Sequence, residues 1–182
     1  MHKIALIGGP GSGKTTLALG FTSHMKNQGR LWVHVSEYAR DFIESYGKDA
    51  PSRCGDFVQL HFLEEQARRE QRVHVASEGF VTDAPLFFAW VYAAKYSSRE
   101  FSGLIAKRVC YERAIESLAN YSEICWVRRE KPYVQDGARL QTEEEVHELD
   151  DQIVSLVRLH GFVVREVSGT IGERIASLER LL

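Results

Sequence analysis

The chain has 182 residues, 44% of them hydrophobic and 26% charged, with a formal net charge of −2; this is enough to bury one apolar core and argues against a dedicated duplex-DNA binder, which needs a basic excess. Cys54, Cys110 and Cys125 lack metal-type spacing, and their odd count gives no disulfide framework, so three small buried hydrophobes in a reducing compartment are expected. No signal-peptide pattern opens the chain and no apolar run nears the roughly 20 residues that span a bilayer, so a cytoplasmic protein with no membrane partner is expected.

In chain order, the apolar run Lys3 to Ile7 predicts a strand, followed by glycines and a helix from Lys14 to Lys26. A second strand, Leu31 to Val35, leads into polar Ser36 and Glu37. Asp56 is placed to cap a helix with Phe57, Leu60, Leu63 and Ala67 on one face. Gly79 to Thr82 is the third strand, ending at Asp83, before a helix-rich stretch from Pro85 to Asn120. Glu123 to Val127 is the fourth strand, and the polar segment Arg128 to Gln141 follows it.

Thr142 with Glu145 forms a capping-box signature ahead of a stripe of Val146, Leu149, Ile153, Leu156 and Val157, which Gly161 stops. Phe162 to Val167 is the fifth strand, and Thr170 with Glu173 opens a last helix whose Ile171, Ile175 and Leu178 face inward. With no internal repeat or linker, residues 1–182 read as one three-layer α/β/α domain on about five parallel strands, with a helical and lid insertion.

Gly8-Gly9-Pro10-Gly11-Ser12-Gly13-Lys14-Thr15 matches G-x-x-x-x-G-K-[ST] in full, between an apolar strand and an amphipathic helix. Such a loop turns successive N–H groups into one concavity for phosphate oxygens, and the helix start adds its positive dipole end. Gly9, Gly11, Ser12, Gly13, Lys14, Thr15 and Thr16 are therefore the candidate nucleotide-binding residues, for ATP with Mg²⁺. Lys14 would reach the β- and γ-phosphates, and the Thr15 hydroxyl would serve Mg²⁺.

Asp83, at a strand end, is the candidate second metal ligand; the alternative is a helix cap ahead of Pro85. Glu37 follows the second strand and could take a proton from an acceptor hydroxyl, or be a solvated acid in the first turn of a helix. Arg40, three residues on, could pair with Glu37 or meet an anionic substrate. The segment 128–141 is either a lid or a solvated connection: Arg128 and Arg139 are candidates for stabilising transferring phosphoryl charge, and Asp136 for a substrate contact. The seven histidines form no metal cluster, and Phe87, Phe88, Trp90 and Tyr92 pack in the core or stack one ring on a substrate base.

The glycine loop, Ser36-Glu37-Tyr38-Ala39-Arg40, Thr82-Asp83 and Pro132-Tyr133-Val134-Gln135-Asp136-Gly137-Ala138-Arg139 occur in that order. Together they resemble the ribosylnicotinamide kinase domain of the NAD-biosynthesis regulators and the wider AAA-type P-loop group, often phage-encoded. The resemblance implies a P-loop NTPase fold of the nucleoside- and nucleotide-kinase kind. It implies ATP and Mg²⁺ at the loop, Asp83 near the metal, Glu37 and Arg40 near the acceptor, and Arg128 and Arg139 in a closing segment. The resemblance over residues 1–182 includes neither an adenylyltransferase nor a DNA-binding domain, so a single kinase unit is expected. The reading is a kinase acting on the hydroxyl of a nucleoside-like or nucleotide-like small molecule. Two alternatives stay open: a phage-type kinase for hydroxymethylated pyrimidines in DNA, located in the host cytoplasm, and a nucleotide-switched NTPase or binding protein.

Overall fold

The computed structural model describes residues 1–130 and 142–182. Five parallel strands form one sheet in the order β2-β3-β1-β4-β5: β1 (His2–Ile7), β2 (Trp32–Val35), β3 (Gly79–Thr82), β4 (Glu123–Val127) and β5 (Arg165–Val167). The alternation of strand-length apolar runs with helical periods required this parallel arrangement, because parallel neighbours need crossovers. β1 lies at the centre, with His2 opposite Gly79 on one side and Ile4 opposite Glu123 on the other.

Both faces of the sheet are covered, as a parallel sheet demands. Alternate residues of β1 serve the two sides: Ile4 and Leu6 pack with Leu17, Phe21 and Met25 of α1 (Lys14–Asn27) and Leu178 of α8 (Ile171–Glu179). Ala5 and Ile7 pack instead with Val91 of α5 (Phe88–Tyr96), Leu118 of α6 (Phe101–Leu118), and Leu149 and Ile153 of α7 (Glu143–Leu159). The remaining helices, α2 (Tyr38–Tyr46), α3 (Ala50–Arg53) and α4 (Val58–Gln71), follow β2.

Both capping boxes read from the sequence are formed, at Thr142–Glu145 and Thr170–Glu173, and α7 ends ahead of Gly161, whose φ is 79°. Four local expectations differ. Asp56 does not cap α4, which starts after Phe57; its carboxylate accepts from Ser98 N, Ser98 Oγ and Ser102 Oγ at 2.7, 2.8 and 2.7 Å instead. The inward face of α4 is Phe62, Leu63, Gln66 and Glu70, leaving Phe57 exposed. β5 is shorter than the apolar run that suggested it, because Phe162 and Val164 pack against the core ahead of the ladder. Cys54 is exposed, whereas Cys110 and Cys125 are buried.

Candidate functional site

Parallel register brings the chemistry to one edge. Val35 and Ile7 end their strands on either side of β3, and Val35 is level with Thr82. The segments beginning at Gly8, Ser36 and Asp83 therefore leave the sheet together, at the carboxyl edge where open α/β folds bind ligands. A cavity of about 680 Å³ opens there, lined by Lys14, Thr15, Glu37, Arg40 and Asp83 together with Phe88 and Tyr92 of α5.

The glycine loop has the form its sequence required. Gly13 has φ 95°, a left-handed conformation that a side chain would strain, and stands at the N-cap of α1. That helix has no side-chain cap and no acid in its first turn, so its leading amides and dipole are offered to an outside anion. Gly9 is needed for a different reason: a Cβ there would stand 2.9 Å from Val146 O. Its N–H donates to Asp150 Oδ1, and Arg129 Nη2 pairs with the other oxygen of that buried carboxylate at 3.2 Å. Gly11, Gly13 and Thr16 line the cavity, and Ser12 is buried with its Oγ lacking a hydrogen-bond partner among the described residues.

Lys14 Nζ donates to Gly8 O and Gly9 O at 2.7 and 2.9 Å and lies 5.7 Å from the centroid of the Phe88 ring. Burial lowers its pKa; Glu37, Asp83 and Asp150 pull the other way, while Arg129 adds to the lowering. Thr15 Oγ1 donates to Asp83 Oδ2 at 2.5 Å, and His34 Nε2 lies 3.1 Å from Asp83 Oδ1. Asp83 is 3% exposed. Burial alone would raise its pKa, but the bonds from His34 and Thr15 and the charge of Lys14 outweigh that and hold it below the usual carboxylate range. It caps no helix, since α5 begins after Phe87. A hydroxyl and an ionised carboxylate side by side beneath the loop are hard oxygen donors that fit Mg²⁺.

Glu37 occupies the N-cap position of α2 and makes no capping bond. Its side chain keeps 34% of its exposure, and Arg40 Nε stands 3.9 Å from Oε2, the pairing anticipated from the i,i+3 spacing. Burial raises the Glu37 pKa, and the neighbouring Asp83 and Asp41 charges reinforce this against Lys14 and Arg40. The two carboxylates on adjacent strand ends thus shift in opposite directions.

Arg128 does not reach this cavity. Trp126 is level with Glu166 across β4 and β5, and Arg128 leaves the sheet to pair with Glu166 at 3.0 Å on the surface. Its neighbour Arg129 turns the other way, to Asp150, the carboxylate that accepts from Gly9 N. Asp136, Arg139 and most of the segment read as a lid lie outside the described residues. Of the four aromatics grouped by sequence, Phe87 is fully buried, Trp90 packs edge-on to Tyr111 at 5.1 Å, and Phe88 and Tyr92 line the cavity.

Sequence reasoning missed three supporting residues. His34 could have been found from its place inside an apolar strand, where a histidine needs a polar partner. Gln66 sits on the buried face of α4, accepting from Tyr38 N at 2.9 Å and donating to Ser36 O at 3.2 Å. Arg174, on α8, donates to Gly169 O at 2.8 Å, Arg128 O at 3.0 Å and Ser12 O at 3.4 Å, knotting the glycine loop to the ends of β4 and β5. Arg174 and Leu178 are the buried residues of α8; Ile171, expected inside, is 46% exposed.

A five-stranded parallel sheet with a glycine loop between β1 and α1, backed by a lysine and a hydroxyl–carboxylate pair, defines a P-loop nucleotide-binding fold of the kinase kind. The chain belongs to the AAA domain family, whose pattern matches residues 3–174. Its fold is similar to that of NadR protein in complex with NAD and AMP-PNP, with TM-score 0.74 at 16% identity over 99% of this chain and 49% of that one. A structure of NadR protein in complex with NR gives TM-score 0.74 at 17% identity over 98% and 50%. Deoxyadenosine kinase from M. mycoides with bound dATP gives TM-score 0.60 at 15% identity over 100% and 99%. The chain spans about half the length of the NadR chains it matches. No functionally curated protein matches the sequence.

Proposed function

We propose that this chain is a kinase that transfers the γ-phosphate of ATP, with Mg²⁺, to a hydroxyl of a nucleoside-like or nucleotide-like acceptor. The observation that carries the proposal is the convergence of Glu37 and the Thr15–Asp83 pair with Lys14 in one cavity at the carboxyl edge of the sheet. The similar structures hold NAD, AMP-PNP, NR or dATP, ligands in keeping with an acceptor of this class.

The loop amides and the start of α1 bind the phosphates, and Lys14 exchanges its carbonyl partners for phosphate oxygens. Thr15 and Asp83 would hold Mg²⁺, which when bound screens the charge of the phosphate chain. Glu37 accepts the proton of the acceptor hydroxyl as that oxygen bonds to the γ-phosphorus, while the bond from phosphorus to the β–γ bridging oxygen breaks and ADP leaves. Arg40 borders the same space and orients the acceptor. Arg128, Arg139 and Asp136 belong to the proposal as parts of a closing segment, 128–141, of a single kinase unit.

Transfer of labelled phosphate from ATP to nucleosides, ribosylnicotinamide, mononucleotides and hydroxymethylpyrimidine single-stranded DNA tests it. Label on one of the small molecules, lost in Lys14→Ala and Glu37→Gln, is the expected result. Label on DNA alone moves the acceptor to a nucleic acid. Hydrolysis unaffected by Glu37→Gln, with no labelled acceptor, overturns the kinase reading.

A further inference from the structure

α2, the helix that presents Glu37, is poorly anchored by its own residues: none is fully buried, and its N-cap makes no side-chain hydrogen bond. Its entry turn is held from outside by two residues of α4, Gln66 and Arg69, of which Arg69 donates to Ser36 O at 3.3 Å and only Gln66 also bonds Tyr38 N. Gln66 on α4 is 5% exposed; its Oε1 accepts from Tyr38 N at 2.9 Å and its Nε2 donates to Ser36 O at 3.2 Å. Ser36 and Tyr38 are the two neighbours of Glu37. The same Nε2 lies 3.5 Å from Thr82 Oγ1, the residue before Asp83, and that hydroxyl accepts in turn from Ala84 N at 3.3 Å.

We infer that Gln66 is a positioning residue, whose carboxamide ties the turn carrying Glu37 to the strand end carrying Asp83 and fixes how the two carboxylates face each other. The inference rests on the kinase reading of Glu37. Its chemistry is specific to an amide: the turn offers one N–H and one C=O, and only a side chain with both acceptor and donor answers them together. A carboxylate keeps the bond to Tyr38 N and loses the donor; leucine, of similar size, loses both. Arg69, one turn further along α4, adds bonds to Ser36 Oγ at 3.0 Å and Asp41 Oδ2 at 2.7 Å, so the segment stays docked on α4 when the amide is removed.

The test uses the full chain with Gln66→Leu, Gln66→Glu and Glu37→Gln. Amide hydrogen exchange at Tyr38 reads the clamp without reference to activity, and about tenfold faster exchange is expected in Gln66→Leu, less in Gln66→Glu. In phosphate transfer, kcat falls about tenfold or more while KM for ATP moves less than about twofold, since the interaction serves the transition state rather than nucleotide binding. Gln66→Leu combined with Glu37→Gln is no slower than Glu37→Gln alone, because the first acts through the second. Unchanged Tyr38 exchange, a loss confined to KM for ATP, or multiplying effects in the double variant each overturn the role. A wild-type protein that binds MgATP and phosphorylates nothing sinks the kinase reading and this role with it, whatever the exchange at Tyr38.

Discussion

Glu37 and Asp83 follow neighbouring strands, share Lys14 and are shifted in opposite directions by surroundings only a few side chains apart. A base must be ionised to accept a proton, so a raised Glu37 pKa moves the acid limb of the rate profile above the ordinary 4.5. Glu37→Gln is expected to lower kcat by about 10²- to 10⁴-fold and to flatten that limb, with MgATP affinity kept within about twofold. Stopped assays across pH, with nucleotide titration alongside, check this. Glu70 offers a second residue-scale prediction, on stability. Burial pushes its pKa up to about 7, against a bond donated by Tyr121 Oη at 2.9 Å. The folded protein therefore keeps a proton that the unfolded chain releases from about 4.5 upward, and stability falls as pH rises between those values, by on the order of 3 kcal/mol. Denaturant unfolding at pH 5 and pH 8 is expected to show that loss, and Glu70→Gln to reduce it. The positions of Lys14, Thr15 and Gly13 in the loop could be read from spacing alone, since a glycine loop is a local motif. The roles of His34, Gln66 and Arg174 could not, because each acts on a residue far from it in the chain.

At the scale of elements, what was legible followed from local hydrogen bonding. Thr142 and Thr170 announce their helices because the box closes within four residues. Asp56 carries the same kind of signal before α4, but Ser98 and Ser102 took its carboxylate, and no local rule anticipates a partner some forty residues later. The inward stripe of α8 was also misjudged: hydrophobicity favoured Ile171, whereas the three carbonyls awaiting a donor at Ser12, Arg128 and Gly169 draw Arg174 inward. α8 is thus both a packing element and a brace for the glycine loop. Thr170→Ala is expected to cost about 1 kcal/mol by loss of the cap, and to weaken MgATP binding by loosening Arg174. Thermal unfolding with and without nucleotide separates the two effects; a stability loss with unchanged affinity would show that the brace does not depend on the cap.

For the molecule as a whole, the α/β alternation made the layers and the parallel sheet legible, while strand order was not written in any local feature. Order is what brings Gly8, Glu37 and Asp83 to one edge, so the cavity could be anticipated only as far as the resemblance carried it. A ligand bound only by the folded form adds about 2.7 kcal/mol at a hundredfold excess over its Kd. For a chain of this size, that raises Tm by about 5–10 °C. MgATP is expected to produce such a shift in the wild type and none in Lys14→Ala, as scanning fluorimetry would record.

The central place of β1 has a consequence for how the protein is made. His2 must meet Gly79 and Ile4 must meet Glu123, so β1, synthesised before either partner, waits until residue 123 and beyond before both its flanks exist. Until then a sticky ribbon of isoleucine and leucine stays open to solvent, in a topology whose long loop closures slow assembly. Nascent chains stalled before residue 123 should therefore be chaperone clients.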